Sequence, residues 1–96
     1  MIKHIVFFKI NIEKKEKELS KLKAMIENLG DLIPSVIKIE AGLNISPRDS
    51  AYDIALLSEF RDKEGLEKYQ KHPKHLKLIE HLKKLDRDIA VVDYEI

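Results

Sequence analysis

Ninety-six residues, 44% hydrophobic and 36% charged, suffice for one domain with a single core and are too few for two. Eighteen lysines and arginines against 17 acids leave a net charge of +1, so a nucleic-acid partner is not expected. The absence of cysteine removes disulfides, thiolate metal sites and a cysteine nucleophile.

In chain order, Ile2 to Ile10 is rich in β-branched and aromatic side chains and predicts a strand. Its apolar run, Ile5-Val6-Phe7-Phe8, is too short for a secretory signal or a membrane span. No membrane partner is expected, and the expected location is the cytoplasm. Asn11 is a candidate helix cap, followed by acids in the first turns, where the helix dipole favours them. Leu19, Leu22, Met25, Ile26, Leu29 and Ile33 then recur at spacings of three and four, one apolar stripe on a helix. The other face alternates lysine and glutamate and reads as solvated rather than membrane-binding. Gly30 and Pro34 stand where the stripe ends and read as stop signals.

A second strand is predicted from Val36 to about Asn44. Ser46 to Ser50 has the composition of a loop, and Tyr52 to Phe60 predicts a third strand. Asp62 is placed to cap a second helix carrying Leu66 and Tyr69. His72-Pro73 interrupts that helix, because a residue before proline is pushed out of helical geometry. The helical pattern resumes from Leu76 to Leu85, and Ile89 to Ile96 predicts the last strand.

The order β-α-β-β-α-β suits an α+β, ferredoxin-like fold: a four-stranded antiparallel sheet in strand order 4-1-3-2, with the helices on one face. A sheet covered on one face should alternate apolar and polar residues. Here Ile2, Val6 and Phe8 oppose Ile5 and Phe7. Ile54 and Leu56 oppose Ala55 and Leu57, and Val91 adjoins Val92. The helices can cover only one of two apolar faces, so a homodimer joined through the other sheet face is expected.

The residues then resemble a known family, the stress-responsive α/β-barrel (Dabb) domain proteins. The matching elements are Lys3-His4-Ile5-Val6, Ile33-Pro34, Glu40 to Ser46, Tyr52-Asp53, Leu66 with Tyr69, His72-Pro73-Lys74-His75 and Val92-Asp93-Tyr94. They span the chain, residues 1–96, as a single domain. Ser35 departs from a common glycine and touches only a turn. The resemblance implies a dimeric α/β barrel in which two sheets close on each other. It implies little about activity, since many members have no assigned reaction. One plant branch, the olivetolic acid cyclases, closes a linear polyketide by aldol condensation and looks similar at His4, Tyr69, His75 and Asp93. More distant relatives on this fold include heme-handling proteins and quinol-type monooxygenases, so the fold decides nothing about chemistry.

His75 and Tyr69 form the sharpest candidate pair. A histidine can take a proton from a carbon beside a carbonyl, and a tyrosine hydroxyl can bond the developing enolate oxygen. Spacing alone does not bring them together across Pro73, and each has a structural alternative as a core or pocket-rim residue. His4 and Asp93 lie on strands that are neighbours in this topology. The carboxylate would fix the imidazole tautomer, either as a buried structural pair or as support for a pocket. Val6 and Phe8, on the same strand face as His4, and His72 complete an expected pocket wall for a small apolar or aromatic ligand. A cavity of a few hundred Å³ would suit such a site.

His72 and His75 lack a third metal ligand and have proline between them, so no metal is expected, and no cofactor. His81, among Glu80, Lys83 and Lys84, reads as solvated. The expected protein is a homodimer of undefined biochemical role that binds a small apolar or aromatic ligand near His75 weakly or not at all. The alternative is a cofactor-free enzyme, cyclase-like or monooxygenase-like, with His75 as base and Tyr69 as hydrogen-bond donor.

Overall fold

A computed structural model describes the whole chain, residues 1–96. Seven elements follow one another: β1 (Ile2–Ile10), α1 (Glu16–Leu32), β2 (Lys38–Leu43), β3 (Ile54–Phe60), α2 (Lys63–Lys71), α3 (Pro73–Lys83) and β4 (Arg87–Glu95). The strands form one antiparallel sheet in the order β2-β3-β1-β4, which is the interleaved order expected for the ferredoxin-like fold. The interrupted second helix is two helices. No helix is long and apolar enough to cross a membrane.

Alternation in β1 sends Ile2, His4, Val6, Phe8 and Ile10 to the helix side, where all five are buried. They meet Ile54, Leu56 and Phe60 of β3, the α1 stripe Leu22, Ile26 and Leu29, and Leu66, Tyr69, Leu78 and Leu82 of the later helices. Each such side chain contributes about 1.5–3 kcal/mol on leaving water. Only β4 lacks cover on the helix side, where Ile89 and Val91 remain exposed.

Several boundaries differ from the sequence expectation, each for a local reason. Asn11 does not cap α1. Its N–H bonds the Asp86 carbonyl at 2.8 Å and its amide reaches Asp88, extending the β1–β4 edge by one residue. The chain then reverses at Lys14, with φ of 50°, and α1 starts after Lys15, which makes no side-chain cap. Gly30 is not a stop signal either, because α1 runs through it to Leu32. A Cβ at Gly30 would lie 2.7 Å from Ile39 Cγ2, so glycine is what lets α1 sit against β2. Strand β2 begins at Lys38 rather than Val36, because Val36 N–H turns back to the Ile33 carbonyl. Strand β3 begins at Ile54 rather than Tyr52. Asp53 takes over the ladder there: its N–H donates to the Phe8 carbonyl and its carboxylate accepts from the Ile10 N–H. Lys15 Nζ closes the corner on the same carboxylate at 3.1 Å.

The opposite sheet face carries no helix. Ile5, Phe7, Ala55, Leu57 and Val92 lie across its middle; Phe7, Leu57 and Val92 are exposed there. One end is charged, with Lys3, Lys38, Glu40 and Glu59 around a hollow of about 90 Å³. The other end is an apolar groove of about 470 Å³ along Phe7, Tyr52, Ala55 and Ile45.

Candidate functional site

On the covered side, a cavity of about 190 Å³ lies beneath α2 and α3, between them and strands β1 and β4. Its walls are Val6, Phe8, Leu56, Leu78, Ile79, Leu82, Ile89 and Val91, and its polar members are His4, Gln70, Tyr69 and His75. No lysine, arginine or carboxylate reaches the wall. The volume is below the few hundred Å³ expected. It exceeds the roughly 150 Å³ of an engineered cavity that accepts benzene, so one six-membered ring fits.

His4 stands opposite Asp93 of β4 and Ser58 of β3 in the sheet register. Its Nδ1–H donates to the Asp93 carboxylate, and Ser58 Oγ donates to the His4 carbonyl at 3.0 Å. This accounts for the chain's two buried polar residues, His4 and Ser58, since buried polar groups must be paired. Asp93 sits behind His4 and is not part of the cavity wall.

Tyr69 projects from α2 into the centre of the group. Its ring centroid lies 6.0 Å from that of His4, 5.0 Å from Phe60 and 4.5 Å from His75. The residue is 0% exposed, and its hydroxyl has no hydrogen-bond partner in the chain. Burial pushes the phenol pKa well above its ordinary value of 10, so the hydroxyl is a proton-bearing donor at every physiological pH. A buried hydroxyl without a partner costs about 1–3 kcal/mol.

His75, in the first turn of α3, is half-buried. Its Nδ1 lies 3.0 Å from the Gln70 carbonyl, which accepts only, so Nδ1 carries the proton and Nε2 keeps its lone pair. Burial holds the His75 pKa below the usual 6.5, and the nearby His4 lowers it further; the bond to Gln70 works the other way. The ring is therefore neutral at pH 7. Chemically, the cavity sets the Tyr69 and His75 side chains, with His4 and Gln70, against an otherwise apolar wall.

The structure thus places His4, Val6, Phe8, Tyr69 and His75 around one space, with Asp93 behind His4. His72 is elsewhere: its Nδ1 accepts the Lys74 N–H at 3.1 Å and caps α3, so it lines no part of the cavity. With His72 so occupied and His75 turned to Gln70, the two histidines form no joint site. His81 is not solvated. It bonds Glu18 at 2.9 Å and ties α3 to α1, with both side chains less than one-fifth exposed. The sequence did not single out Leu78, Ile79, Leu82, Ile89 and Val91 as cavity residues, because they carry the same periodic signal as core. The Gln70 carbonyl was legible in principle: Pro73 ends the helix, and carbonyls in the turn before it lose their usual donors.

Comparison with known proteins decides the family. The family model for the stress responsive A/B barrel domain (Dabb) matches residues 2–96. The chain belongs to this family. An uncharacterized protein of Streptomyces coelicolor is 35% identical over 77 residues, covering 78% of this chain and 79% of its own length. A stress-response A/B barrel domain-containing protein of Arabidopsis thaliana is 26% identical over 99 residues, 98% of this chain. The chain spans only 46% of that Arabidopsis relative. Among solved structures, a dimeric protein of unknown function with a ferredoxin-like fold from Bacteroides fragilis superposes with a TM-score of 0.87. It is 36% identical, with 99% of this chain and 95% of that one covered. For this Dabb chain, the family establishes the fold and no specific reaction.

Proposed function

We propose that the protein is a homodimer joined through its open sheet faces, and that each copy holds a pocket for a small, uncharged ring bearing a hydroxyl group. The pairing is supported by the apolar middle of the open face and by the dimeric Bacteroides fragilis relative. Sedimentation at micromolar concentration is expected to give a dimer, and a monomer would remove that part of the reading.

The observation that carries the pocket is the Tyr69 hydroxyl, fully buried and unpartnered, on a residue that lines a cavity of about 190 Å³. A ligand hydroxyl can accept from Tyr69 while donating to His75 Nε2, and its ring fills the apolar remainder. A carboxylate would have to leave water for a wall without a cation, which is costly. Titration with phenol, benzene and benzoate, followed through the Tyr69 and His75 ring signals by NMR, tests the pocket. Phenol is expected to bind more tightly than benzene and benzoate not at all. Equal binding of phenol and benzene, or signal changes confined to other residues, would contradict it.

One observation favours a second reading, the cofactor-free enzyme: a neutral His75 whose Nε2 is free of hydrogen bonds within the chain. As base it would take a proton from a carbon next to a carbonyl. The C–H electron pair would move into the enolate, and Tyr69 would donate a hydrogen bond to its oxygen. Protonated His75 would then return the proton, with His4 and Asp93 as support. Deuterium exchange into the methyl group of acetophenone, faster with wild type than with His75→Ala, is the outcome this reading requires.

A further inference from the structure

We infer that His72 and Pro73 are positioning residues for His75: the break they make between α2 and α3 leaves the Gln70 carbonyl free to hold His75 as a hydrogen-bond acceptor. The inference rests on the pocket reading above and concerns how the pocket obtains its acceptor.

In an uninterrupted helix the carbonyls of Tyr69 and Gln70 would take the N–H groups of residues 73 and 74. Pro73 has no N–H to give, and it holds His72 in an extended conformation, with ψ of 139°. The Tyr69 carbonyl is satisfied instead by the His72 N–H at 3.2 Å. The Lys74 N–H is the natural partner of Gln70, and it goes to the His72 side chain, which caps α3. The Gln70 carbonyl is thereby left without its helical donor, and the His75 Nδ1–H takes the place at 3.0 Å. A neutral imidazole has one proton. Fixing it on Nδ1 leaves a lone pair on Nε2, and the acceptor beside Tyr69 exists only in that tautomer. Both residues of the break thus have a use at a distance, although neither touches the cavity.

Two hydrogen bonds thus sit side by side at the break: the Lys74 N–H on the His72 side chain, and the His75 Nδ1–H on the Gln70 carbonyl that Lys74 has left.

The test is the His75 tautomer, read from imidazole nitrogen shifts by NMR at neutral pH without ligand. Wild type is expected to carry its proton on Nδ1. His72→Asn keeps a capping side chain and is expected to keep that tautomer. The double variant His72→Ala/Pro73→Ala supplies the missing N–H, removes the cap and returns Lys74 N–H to Gln70. Its His75 is expected to move mainly to the Nε2–H form, and its phenol affinity to fall about tenfold, the loss of one hydrogen bond. A folded double variant that keeps the Nδ1 proton overturns the inference. If the double variant does not fold, wild type and His72→Asn decide, and an Nε2–H tautomer in either overturns it. Because the tautomer is read without ligand, a correct tautomer with no phenol binding would sink the pocket reading and leave the positioning role intact.

Discussion

Leu56 and Leu57 are adjacent in β3, yet one is 2% exposed under the helices and the other 41% exposed on the open face. The two sheet faces differ in the same way throughout. The covered face includes His4 and Ser58 in its row, both buried, and gathers Tyr69 and half-buried His75 above them. The open face has an apolar middle, with Lys3, Lys38, Glu40 and Glu59 clustered at one end and the Lys9–Asp88 register pair toward the other. The difference teaches that one period-two pattern can serve two purposes. The proposed ligand pocket lies where polar groups are buried among apolar ones, and the proposed dimer contact where apolar groups are left outside.

The sharpest way to break this contrast is the leucine pair. Leu56→Ala is expected to cost about 2–5 kcal/mol of folding stability in chemical denaturation. Leu57→Ala should cost under about 1 kcal/mol once the measurement is made on the monomer. Similar losses would show that the faces are energetically alike. Next in size, Val92→Glu puts a charge in the middle of the open face. It is expected to weaken self-association at least about 100-fold, or about 2.7 kcal/mol, in sedimentation equilibrium, with the secondary structure intact. An unchanged dimer would move the interface elsewhere.

At the polar groups of the covered face the effects are smaller and more diagnostic. Asp93→Ala leaves the His4 Nδ1–H without its acceptor. Because the Asp93 side chain is partly exposed and water can replace it in part, a loss of about 1 kcal/mol is expected in thermal melts. Tyr69→Phe removes a buried hydroxyl that has no partner, so stability should stay level or rise by up to about 1 kcal/mol. The smallest effect is with pH. His75 is held below 6.5 in the fold and returns to about 6.5 when unfolded. Below that pH the unfolded chain binds a proton that the folded chain resists, so stability falls as pH drops from 6.5 toward the folded value. His75→Ala should flatten that slope, and an unchanged slope would contradict the cause assigned to the shift.

Much of this was legible in the residues, and the exceptions share a cause. Periodicity placed every strand and the α1 stripe, because alternation and the 3.6-residue repeat report burial directly. It also exposed the second apolar face. It misplaced Asn11, Gly30 and Tyr52, whose roles depend on partners distant in sequence: Asp86, Ile39 and the Phe8–Ile10 edge. Spacing could suggest the His4–Asp93 pair, since topology alone makes β1 and β4 neighbours. It could not bring Tyr69 to His75, because the angle between α2 and α3 decides that. Nor could it tell His72, a cap, from His75, a pocket residue, since the two differ only by which side of Pro73 they occupy. His81 looked solvated among its charged neighbours, and only α1 packing beside α3 supplies Glu18.

The affinity of phenol for wild type and for Tyr69→Phe, compared by calorimetry at pH 7, tests the central claim that the buried hydroxyl is kept for a ligand. The account predicts binding about five- to tenfold weaker in the variant, the value of one hydrogen bond, with no loss of folding stability. Equal affinities, or no binding to either protein, would contradict it.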